Sequence, residues 1–462
     1  MSQPIYLTAD IRRIEQAAGE ATPPLMERAG AAAADLAEKL VAGKDVLVLA
    51  GPGNNGGDAR IAAALLQERF FRVTVAAGPR ELPADRSWGL VIDGLFGIGL
   101  ARNITGEHAT LVEYANRQRC PVLALDVPSG IQSDTGQVLG CAVRATHTLT
   151  FIALKPGLLT LDGPDYSGEV SVADLGLDVA KLQRPAAWVA GPELFDGVLK
   201  RRPRNFHKGA AGSLGILGGA RGMAGAALLA GRAALKLGAG RVYAGLLEHL
   251  AVDAAAPELM LRHADDVFGL DLDAVVAGPG LGRSDHAATL VGAVLAAEMP
   301  CVLDADALNL IAEDENLRLA CERRGADTLL TPHPAEAGRL LGITTAEVQA
   351  DRVAAARALS KRYNAHIVLK GNGSVLVAHD GHLFINTSGN PGMASAGMGD
   401  VLSGMLGALL AQRYPGELAL ALGVHLHGCA ADELAASGAG PVGLAASDLL
   451  DPARRIWNRW LK

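Results

Sequence analysis

The sequence predicts two α/β domains, each with a parallel sheet flanked by helices. Short apolar runs rich in β-branched residues recur along the chain, and helical segments such as residues 59–70 separate the first of them. Most of these runs end in a loop rich in Gly, Asp or Pro. Buried strands that alternate with helices are typical of parallel sheets joined by right-handed crossovers.

The composition narrows the class of protein. The chain has 462 residues, of which 50% are hydrophobic and 20% charged, with 56 glycines; this length suggests two or three domains. The net charge of −7 is spread without long runs, so we expect no nucleic-acid partner. Five scattered cysteines without a C-x-x-C pair indicate a reducing cytoplasm. We find no secretory signal and no membrane-spanning run, so we expect a cytoplasmic protein.

The predicted elements fall into two series. Helices over residues 10–41 precede strands in DVLVLA, FRVTVAAG, GLVIDGLFG, CPVLALDVPSG, HTLTFIALKPG and, at the end of the series, EVSVADLGL. A stretch rich in Pro and Arg at residues 200–212 indicates a boundary, and we assign residues 1–198 and 199–462 to separate domains. The second series has strands in SLGILGGA, AGRVYAGLL, DAVVAGPGLG, PCVLDADALNL, DTLLTPHPAE and HIVLKG, then a hairpin turning at Asp380 and Gly381, then helices.

The loop GPGNNGGDA, residues 51–59, is the first candidate binding element. It follows a strand, opens a helix and contains G-x-G-x-x-G, which alone is weak evidence for dinucleotide binding. The next strand ends in Ala and Gly and lacks the acidic residue that holds a ribose in ordinary nicotinamide-dependent dehydrogenases. The Asn and Asp oxygens of the loop suit a hard cation or ribose hydroxyls. A capped structural turn is the alternative.

Two aspartates end strands of the same series. Asp93 ends a strand in VIDGLFGIGLARN and Asp126 ends another in LALDVPSG, with Ser129 nearby. Ligands of open α/β sheets bind beyond the carboxyl ends of strands. Asn55, Asp93 and Ser129 can therefore converge as oxygen ligands of one cation, which leaves Asp126 for acid–base chemistry. The alternative is that both aspartates cap the loops that follow.

The stretch NPGMASAGMGDVLSG, residues 390–404, is the most informative motif of the second series. Small residues before a helix let backbone N–H groups approach an anion, and the helix N-terminus adds a partial positive charge. Asp400 would then stand beside an anion hole formed by residues 397–400, where it can take a proton from a hydroxyl. The alternative is a turn in which Asp400 is the N-cap.

Further candidates follow other strands of this series. Lys370 and the turn KGNGS can hold a nucleotide phosphate, unless Lys370 is a solvated lysine at a strand end. The loop GPGLG, residues 278–282, allows close approach of a ligand or is a plain turn. His333 lies between two prolines and is either a substrate contact or a surface residue. Asp304 and Asp306 either bind magnesium through water or orient loops.

The motifs GPGNNGGD, DGLFGIGL and DVPSG resemble, in this order, the NAD(P)H-hydrate epimerase domain, also called the YjeF N-terminal domain. The resemblance implies a Rossmann-like three-layer domain. It implies that Asn55, Asp93 and Ser129 hold a potassium ion and that Asp126 takes part in epimerisation at the hydrated carbon of the nicotinamide ring. The hydrated dinucleotide would lie along Asn54, Asn55, Gly56, Gly57, Asp58, Gly97, Ile98, Gly99, Leu100, Ala101, Arg102, Asn103 and Asp126.

From about His207 onward the chain resembles the ADP-dependent NAD(P)H-hydrate dehydratase, a member of the ribokinase-like superfamily. The resemblance rests on HKGAAGSLGILGGARGMAGAALLA, GPGLG, DADALN, TPHPAE, KGNGS and NPGMASAGMGDVLSG. It implies a ribokinase-like α/β domain that uses ADP with Mg²⁺. The implied substrate contacts are Ala226, Gly280, His333 and Asp400. The implied ADP contacts are Lys370, Gly371, Asn372, Gly373, Ser374 and Gly399.

Together these features predict a bifunctional enzyme that repairs hydrated NADH and NADPH. The first domain would interconvert the R and S epimers, and the second would dehydrate the S epimer with ADP, giving AMP and phosphate. The main alternative is a small-molecule kinase of the ribokinase superfamily fused to a regulatory nucleotide-binding domain, which would release a stable phosphorylated product. A further alternative is that the first domain only binds a ligand. We expect small-molecule substrates and a homo-oligomer.

Overall fold

The computed structural model describes residues 2–83 and 86–461. The chain divides into two units, one spanning Gln3–Trp188 and the other running from Val189 to the end of the described residues. Each unit is built around parallel strands flanked by helices, which confirms the predicted α/β class. The boundary assigned between residues 198 and 199 stays a prediction. Among the described helices, none has the length and apolar character needed to cross a membrane.

The first unit begins with a short strand and two helices, β1 (Pro4–Ile5), α1 (Thr8–Ala17) and α2 (Leu25–Leu40). The region predicted to be helical over residues 10–41 is thus two helices, separated at Pro23 and Pro24, which lack the N–H that a continuing helix needs. The remaining elements are β2 (Asp45–Ala50), α3 (Asn54–Glu68), β3 (Arg72–Ala76), β4 (Leu90–Gly94), α4 (Gly106–Asn116), β5 (Val122–Leu125), β6 (His147–Phe151), α5 (Gly163–Ser167), β7 (Glu169–Ala173) and α6 (Val179–Leu182). The short strand β8 (Ala187–Ala190) spans the division between the two units.

The first sheet has six parallel strands in the order β3-β2-β4-β5-β6-β7. All six strands were predicted from the sequence. Strand β3 lies on one side of β2, and β4 lies on the other side. The connections that follow β2 and β4 therefore run in opposite directions along the sheet and cross opposite faces of it. Such a switch point opens a crevice at the carboxyl ends of the strands. It brings the loop at residues 51–59 beside the loop that follows Asp93.

Small residues let the helices pack closely on this sheet. Ala29, Ala33, Ala34 and Ala37 of α2 are buried together with α3 in one core cluster. At Gly30 a Cβ would lie 2.4 Å from Cγ2 of Ile61, so only glycine allows this approach of α2 to α3. The packing fixes α3, and with it the loop that opens the helix.

The second unit contains β9 (Ser213–Gly218), α7 (Ala224–Lys236), β10 (Arg241–Leu246), β11 (Met260–His263), β12 (Ala274–Ala277), α8 (Asp285–Ala296), β13 (Cys301–Leu303), α9 (Ala305–Glu313), α10 (Glu315–Glu322), β14 (Thr328–Leu330), α11 (Pro334–Leu341), α12 (Thr345–Ala350), α13 (Arg352–Tyr363), β15 (His366–Leu369), β16 (Ser374–Val377), β17 (Leu383–Asn386), α14 (Met398–Ala411), α15 (Gly416–Ala436) and α16 (Leu450–Trp460). Its strand order is β17-β16-β15-β14-β13-β12-β9-β10-β11.

Strands β9 to β15 of this sheet pair in parallel, and β15, β16 and β17 pair antiparallel. The predicted hairpin is confirmed as β16 and β17. The sequence analysis did not predict β1, β8 or β11, which are only two to four residues long and carry little periodic signal. Helix α14 is buried along most of its length. A Cβ at Gly404 would lie 2.0 Å from the carbonyl oxygen of Ala230, so this glycine sets α14 directly against α7.

Two candidate active sites

A cavity of about 330 Å³ lies at the carboxyl edge of the first sheet. Its walls come from α1, from the loops after β2 and β4, and from the ends of β5 and β6. The sequence-predicted residues that line it are Asn54, Asn55, Asp58, Gly97, Ile98, Gly99, Leu100 and Asp126. The structure thus brings together most of the residues proposed to contact the dinucleotide.

Five of the proposed contacts are not among the lining residues. A Cβ at Gly56 would lie 1.9 Å from the carbonyl oxygen of Gly51, and one at Gly57 would lie 2.8 Å from Sδ of Met26. These two glycines therefore let α3 pack against the end of β2 and against α2. The others, Ala101, Arg102 and Asn103, are exposed in the loop beyond Leu100.

Asp126 is buried and has a left-handed backbone with φ of 65°. Its Oδ1 lies 2.5 Å from the Nζ atom of Lys155, which is fully buried. The ammonium of Lys155 also donates to Oγ1 of Thr150 at 2.8 Å and to the carbonyl oxygen of Phe151 at 2.7 Å. All three ammonium protons thus have acceptors, and the Asp126 carboxylate is held at the cavity wall.

Sequence analysis missed Lys155. It lies in FIALKPG, which was interpreted only as a strand and its end. The available signal was a lysine that follows an apolar run directly and precedes Pro-Gly, since an ionised lysine is rarely fully buried without a partner.

Two further carboxyl groups face the same cavity, Asp58 of α3 and Glu15 of α1. Burial raises the pKa of Asp58 to about 7, and the charges of Asp126 and Glu15 act in the same direction. Burial also raises the pKa of Glu15, and Asp126 adds to that effect. Near neutral pH the cavity can therefore hold both a proton donor and a proton acceptor. Glu15 was not singled out in the sequence.

The three proposed cation ligands have oxygen atoms suited to that role. Asp93 is fully buried, and none of the described lysine, arginine or histidine side chains forms an ion pair with it. Ser129 donates to it from Oγ at 2.7 Å and from its backbone N–H at 2.8 Å. Asn55 is buried, and neither polar atom of its side chain has a hydrogen-bond partner among the described residues. Because unpartnered buried polar atoms are rare, this donor set fits a bound cation.

The second candidate site lies at the N-terminus of α14. Gly397, with φ of 90°, is the N-cap residue, and Asp400 lies in the first turn of the helix. The alternative in which Asp400 is itself the N-cap is therefore wrong. Burial raises the pKa of Asp400 to about 6; the charge of Asp304 also raises it, while Lys370 opposes the shift. Asp400 can then act as a base near neutral pH.

Lys370 follows β15 and is directed to the same helix end. Its Nζ lies 2.9 Å from Oδ1 of Asp304 and 3.3 Å from the position that a Cβ of Gly399 would take. Burial alone would lower the pKa of Lys370, but the neighbouring carboxylates Asp304 and Glu336 outweigh it, and the pKa is raised. Lys370 is thus a charged, mostly buried lysine, and the alternative of a solvated strand-end lysine is wrong.

Glycines shape the two loops proposed to contact ligands in this unit. Gly371 and Gly373 have φ of 144° and 59°, and Oγ of Ser374 donates to the carbonyl of Gly371 at 3.0 Å. Asn372, between the two glycines, is exposed. In the other loop, a Cβ at Gly280 would lie 3.1 Å from Cβ of Ala226. The two predicted substrate contacts Ala226 and Gly280 are therefore neighbours.

His333 is the N-cap residue of α11. Its Nδ1 accepts hydrogen bonds from the backbone N–H groups of Ala335 at 3.1 Å and Glu336 at 3.3 Å. The backbone N–H of His333 donates to Oε2 of Glu336 at 2.8 Å. Burial lowers the pKa of His333, and the charge of Lys370 lowers it further. A neutral imidazole near Lys370 therefore caps the helix with Nδ1, while Nε2 lies 3.3 Å from Oε1 of Glu336 and the ring is half exposed.

Asp304 and Asp306 have different partners. Asp304 pairs with Lys370, and its Oδ2 accepts from Oγ of Ser403 at 2.8 Å. Asp306 accepts at 2.8 Å from the N–H of Gly282, at the end of the GPGLG loop. The two roles considered for these aspartates were magnesium binding through water and orientation of loops. Asp306 has contacts that orient a loop, and Asp304 has contacts that orient a charged side chain.

Comparisons with known proteins cover both units. A family model described as NAD(P)H-hydrate dehydratase matches residues 214–454, and one described as YjeF-related protein N-terminus matches residues 23–90 and 81–157. The bifunctional NAD(P)H-hydrate repair enzyme Nnr of Coxiella burnetii is 40% identical over 495 residues, covering 98% of this chain and 99% of that protein. The protein of the same name from Escherichia coli is 38% identical over 500 residues, covering 98% and 94% respectively.

A solved structure resembles the second unit. The ADP/ATP-dependent NAD(P)H-hydrate dehydratase from Bacillus subtilis, co-crystallised with ATP and Mg²⁺, is 29% identical with a TM-score of 0.52. The match covers 59% of this chain and 98% of that one.

Replacing Lys155 with Met should lower the free energy of unfolding of the first unit by about 3–5 kcal/mol, because the Asp126 carboxylate would stay buried without its cation. Adding Asp126→Asn should recover part of this loss. Native-state hydrogen exchange of β5 and β6 at increasing urea would measure the free energy of unfolding of the single and the double variant. Lys181→Met is the control, since Lys181 pairs with Asp178 at the surface and solvent-exposed pairs contribute little to stability. Equal losses in the two lysine variants would contradict the proposed role of the buried pair.

Proposed function

The chain belongs to the family of bifunctional NAD(P)H-hydrate repair enzymes, and from this premise we propose that the two sites divide the work. The first cavity interconverts the epimers of hydrated NAD(P)H, and the site at the N-terminus of α14 dehydrates one of them. The observation that carries this assignment is that each site has a carboxylate placed for acid–base chemistry: the buried Asp126 next to the cavity and the partly buried Asp400 in the first turn of α14. A domain that only binds a ligand needs no such group.

Epimerisation requires that the bond between the hydrated carbon and its hydroxyl break and form again on the opposite face. The lone pair of the ring nitrogen can expel the hydroxyl as water once an acid protonates it, and a base must deprotonate the returning water. Asp126 is proposed as the base. Asp58, with its pKa raised to about 7 mainly by burial, lines the same cavity and can supply the proton.

We propose that Asn55, Asp93 and Ser129 hold a potassium ion. Three features favour it: Asp93 is a buried carboxylate with no ion pair to a described side chain, Oδ1 of Asn55 is buried without a donor among the described residues, and all three side chains offer oxygen. A cation bound there would supply fixed positive charge beside the phosphate and hydroxyl groups of the dinucleotide. The ion would be held at the end of β4, next to the loop that carries Gly97.

In the second site we propose that ADP phosphorylates the hydroxyl of the S epimer. Lys370, residues 371–374 and the N–H of Gly399 would bind the nucleotide phosphates, and Ala226, Gly280 and His333 would contact the hydrated ring. Asp400 takes the hydroxyl proton while the hydroxyl oxygen attacks the β-phosphorus and AMP leaves. The ring nitrogen then expels phosphate, and loss of a proton from the adjacent carbon restores the nicotinamide ring. Phosphate is a better leaving group than hydroxide, which is why the nucleotide is needed.

Magnesium is expected together with the nucleotide, as in the co-crystallised Bacillus subtilis protein. Asp304 pairs with Lys370 and Asp306 accepts from the N–H of Gly282, so both carboxylates have structural partners. We therefore assign neither carboxylate to the metal and route no step through it. The homo-oligomeric state and the cytoplasmic location stay predictions.

The Asp126→Asn variant should stop epimer exchange and leave ADP-dependent dehydration of the S epimer intact, because asparagine keeps the volume of the side chain but is not a base. Purified wild-type and variant protein would each receive hydrated NADH and ADP, with NADH absorbance, AMP and the two epimers followed together. Wild type should consume both epimers and release AMP and NADH in equal amounts. The variant should consume only the S epimer enzymatically. A stable phosphorylated product would instead support the kinase alternative.

The Asp400→Asn variant should lower dehydration turnover by ~10²–10⁴-fold, the usual contribution of a general base, with only a modest change in ADP affinity. The wild-type rate should decline as pH falls below about 6, because the pKa of Asp400 is raised to about 6 by burial and the carboxyl then gains a proton. The residual rate of the variant should lack this decline. Steady-state rates from pH 5 to 8 would measure turnover and its pH dependence, and ADP titration would measure nucleotide affinity. Near-normal turnover of the variant would remove Asp400 from the mechanism.

Potassium should stabilise the first unit, since a ligand that binds the folded state at 100 times its Kd adds about 2.7 kcal/mol. Melting in KCl is compared with melting in choline chloride at equal ionic strength, using wild type, Asp93→Asn and the control Asp45→Asn. Asp45 is a partly exposed aspartate at the start of β2 that pairs with Arg72 and Arg86, away from the proposed cation. The stabilisation should persist in the control and vanish in Asp93→Asn. Crystals grown with rubidium should show a heavy ion between Asn55, Asp93 and Ser129; ordered water alone at that position would refute the site.

A further inference from the structure

Asp304 connects three elements of the second unit. It directly follows β13, its Oδ1 accepts from Lys370 at the end of β15, and its Oδ2 accepts from Ser403 on α14. Its backbone N–H donates to the carbonyl of Ala277 at the end of β12. The side chain is only 1% exposed. A buried carboxylate with a cation on one oxygen and a hydroxyl on the other is a fixed anchor.

The pair that Asp304 forms with Lys370 lies directly against the first turn of α14. A Cβ at Gly399 would stand 3.3 Å from Nζ of Lys370 and 3.5 Å from Oδ2 of Asp304. Among the described residues no side chain caps this end of α14, so its first backbone N–H groups are free for an anion. The ammonium and these N–H groups are therefore next to each other.

Other carboxylates compete for the same ammonium. Besides Asp304, the charges of Glu336 and Asp400 act on Lys370. A lysine has a flexible four-carbon chain and a compact charge, so without Asp304 it would turn toward one of these groups. An ion pair between Lys370 and Asp400 would take the base out of use and would withdraw the ammonium from the anion position.

We propose that Asp304 is a positioning residue that holds Lys370 at the N-terminus of α14, and that it affects dehydration mainly through Lys370. This assignment rests on the proposed function of the second site. Asp304 is then neither a base nor a magnesium ligand. Asp304 fixes the position of the Lys370 ammonium, so that the transferred phosphoryl group contacts both this ammonium and the N-terminus of α14. Asp400 then stays unpaired and can take the hydroxyl proton.

A double-mutant cycle tests this proposal with the full-length protein. Lys370→Met should lower dehydration turnover ~10²–10³-fold, the usual loss when one donor to transition-state charge is removed, and Asp304→Asn should lower it ~10–10²-fold. The double variant should be no slower than Lys370→Met alone, within about threefold, when both are measured at about pH 8. At that pH the effect of Asp304 on the pKa of Asp400, which is about 6, no longer limits ionisation of the base. Losses that multiply in the double variant would overturn the proposal.

Controls separate positioning from stability and from metal binding. Asp253→Asn also removes a buried carboxylate from an ion pair, with Arg232, and should cost stability but leave turnover within about threefold of wild type. If Asp304→Asn does not fold, Asp304→Glu replaces it in the same cycle. The Mg²⁺ concentration for half-maximal rate should shift no more in Asp304→Asn than in Lys370→Met, and a larger shift would overturn the proposal in favour of a metal ligand. If wild type forms no NADH from hydrated NADH and ADP, the proposed function is wrong. If wild type is active but the losses of the two single variants multiply in the double variant, only the role of Asp304 is wrong.

Discussion

A buried ion pair between a lysine and an aspartate lies at the centre of each site, Lys155 with Asp126 and Lys370 with Asp304. Moving one charge alone into a protein interior costs several kcal/mol, whereas a paired and hydrogen-bonded charge is tolerated. In both units the lysine follows one parallel strand and the aspartate follows another. Charged side chains can thus be buried at the carboxyl edge of each sheet because they are paired there.

The two sites use the pair differently. In the first, the paired aspartate is the proposed base itself, and the neighbouring Asp58 has its pKa raised to about 7, mainly by burial. In the second, the paired aspartate positions a lysine, while Asp400 stays outside the pair and burial raises its pKa to about 6. Proton transfer alone needs a donor and an acceptor side by side, but phosphoryl transfer also needs fixed positive charge where the phosphate reacts.

Glycines control the approach of backbone to backbone at both sites. Gly56 allows α3 to start directly over the end of β2, and Gly404 sets α14 against α7. The first contact lies at the N-terminus of α3 and the second in the body of α14, so both help to hold these helices in place. A ligand with phosphate groups benefits from the unpaired N–H donors at such helix N-termini. Asp93, Asn55 and Ser129 lie at the same edge of the first sheet, but no described cationic side chain pairs with Asp93. This difference from Asp126 is the physical reason to expect a metal ion there.

The sequence by itself determined the α/β class, the long strands and the carboxylates at their ends, because alternating apolar runs and glycine-rich turns are local signals. It also determined the first-unit motifs and the helix whose first turn carries Asp400. Only the tertiary structure decided which charges meet. Lys155 and Asp126 are separated by 29 positions and Lys370 and Asp304 by 66, and a pair between strand ends depends on sheet order, which no local pattern encodes. For the same reason only the structure showed that His333 caps α11 and that Gly397, not Asp400, caps α14. A cap is defined by backbone geometry: aspartate and glycine are both common at the N-cap, and histidine is not among the residues that the position favours.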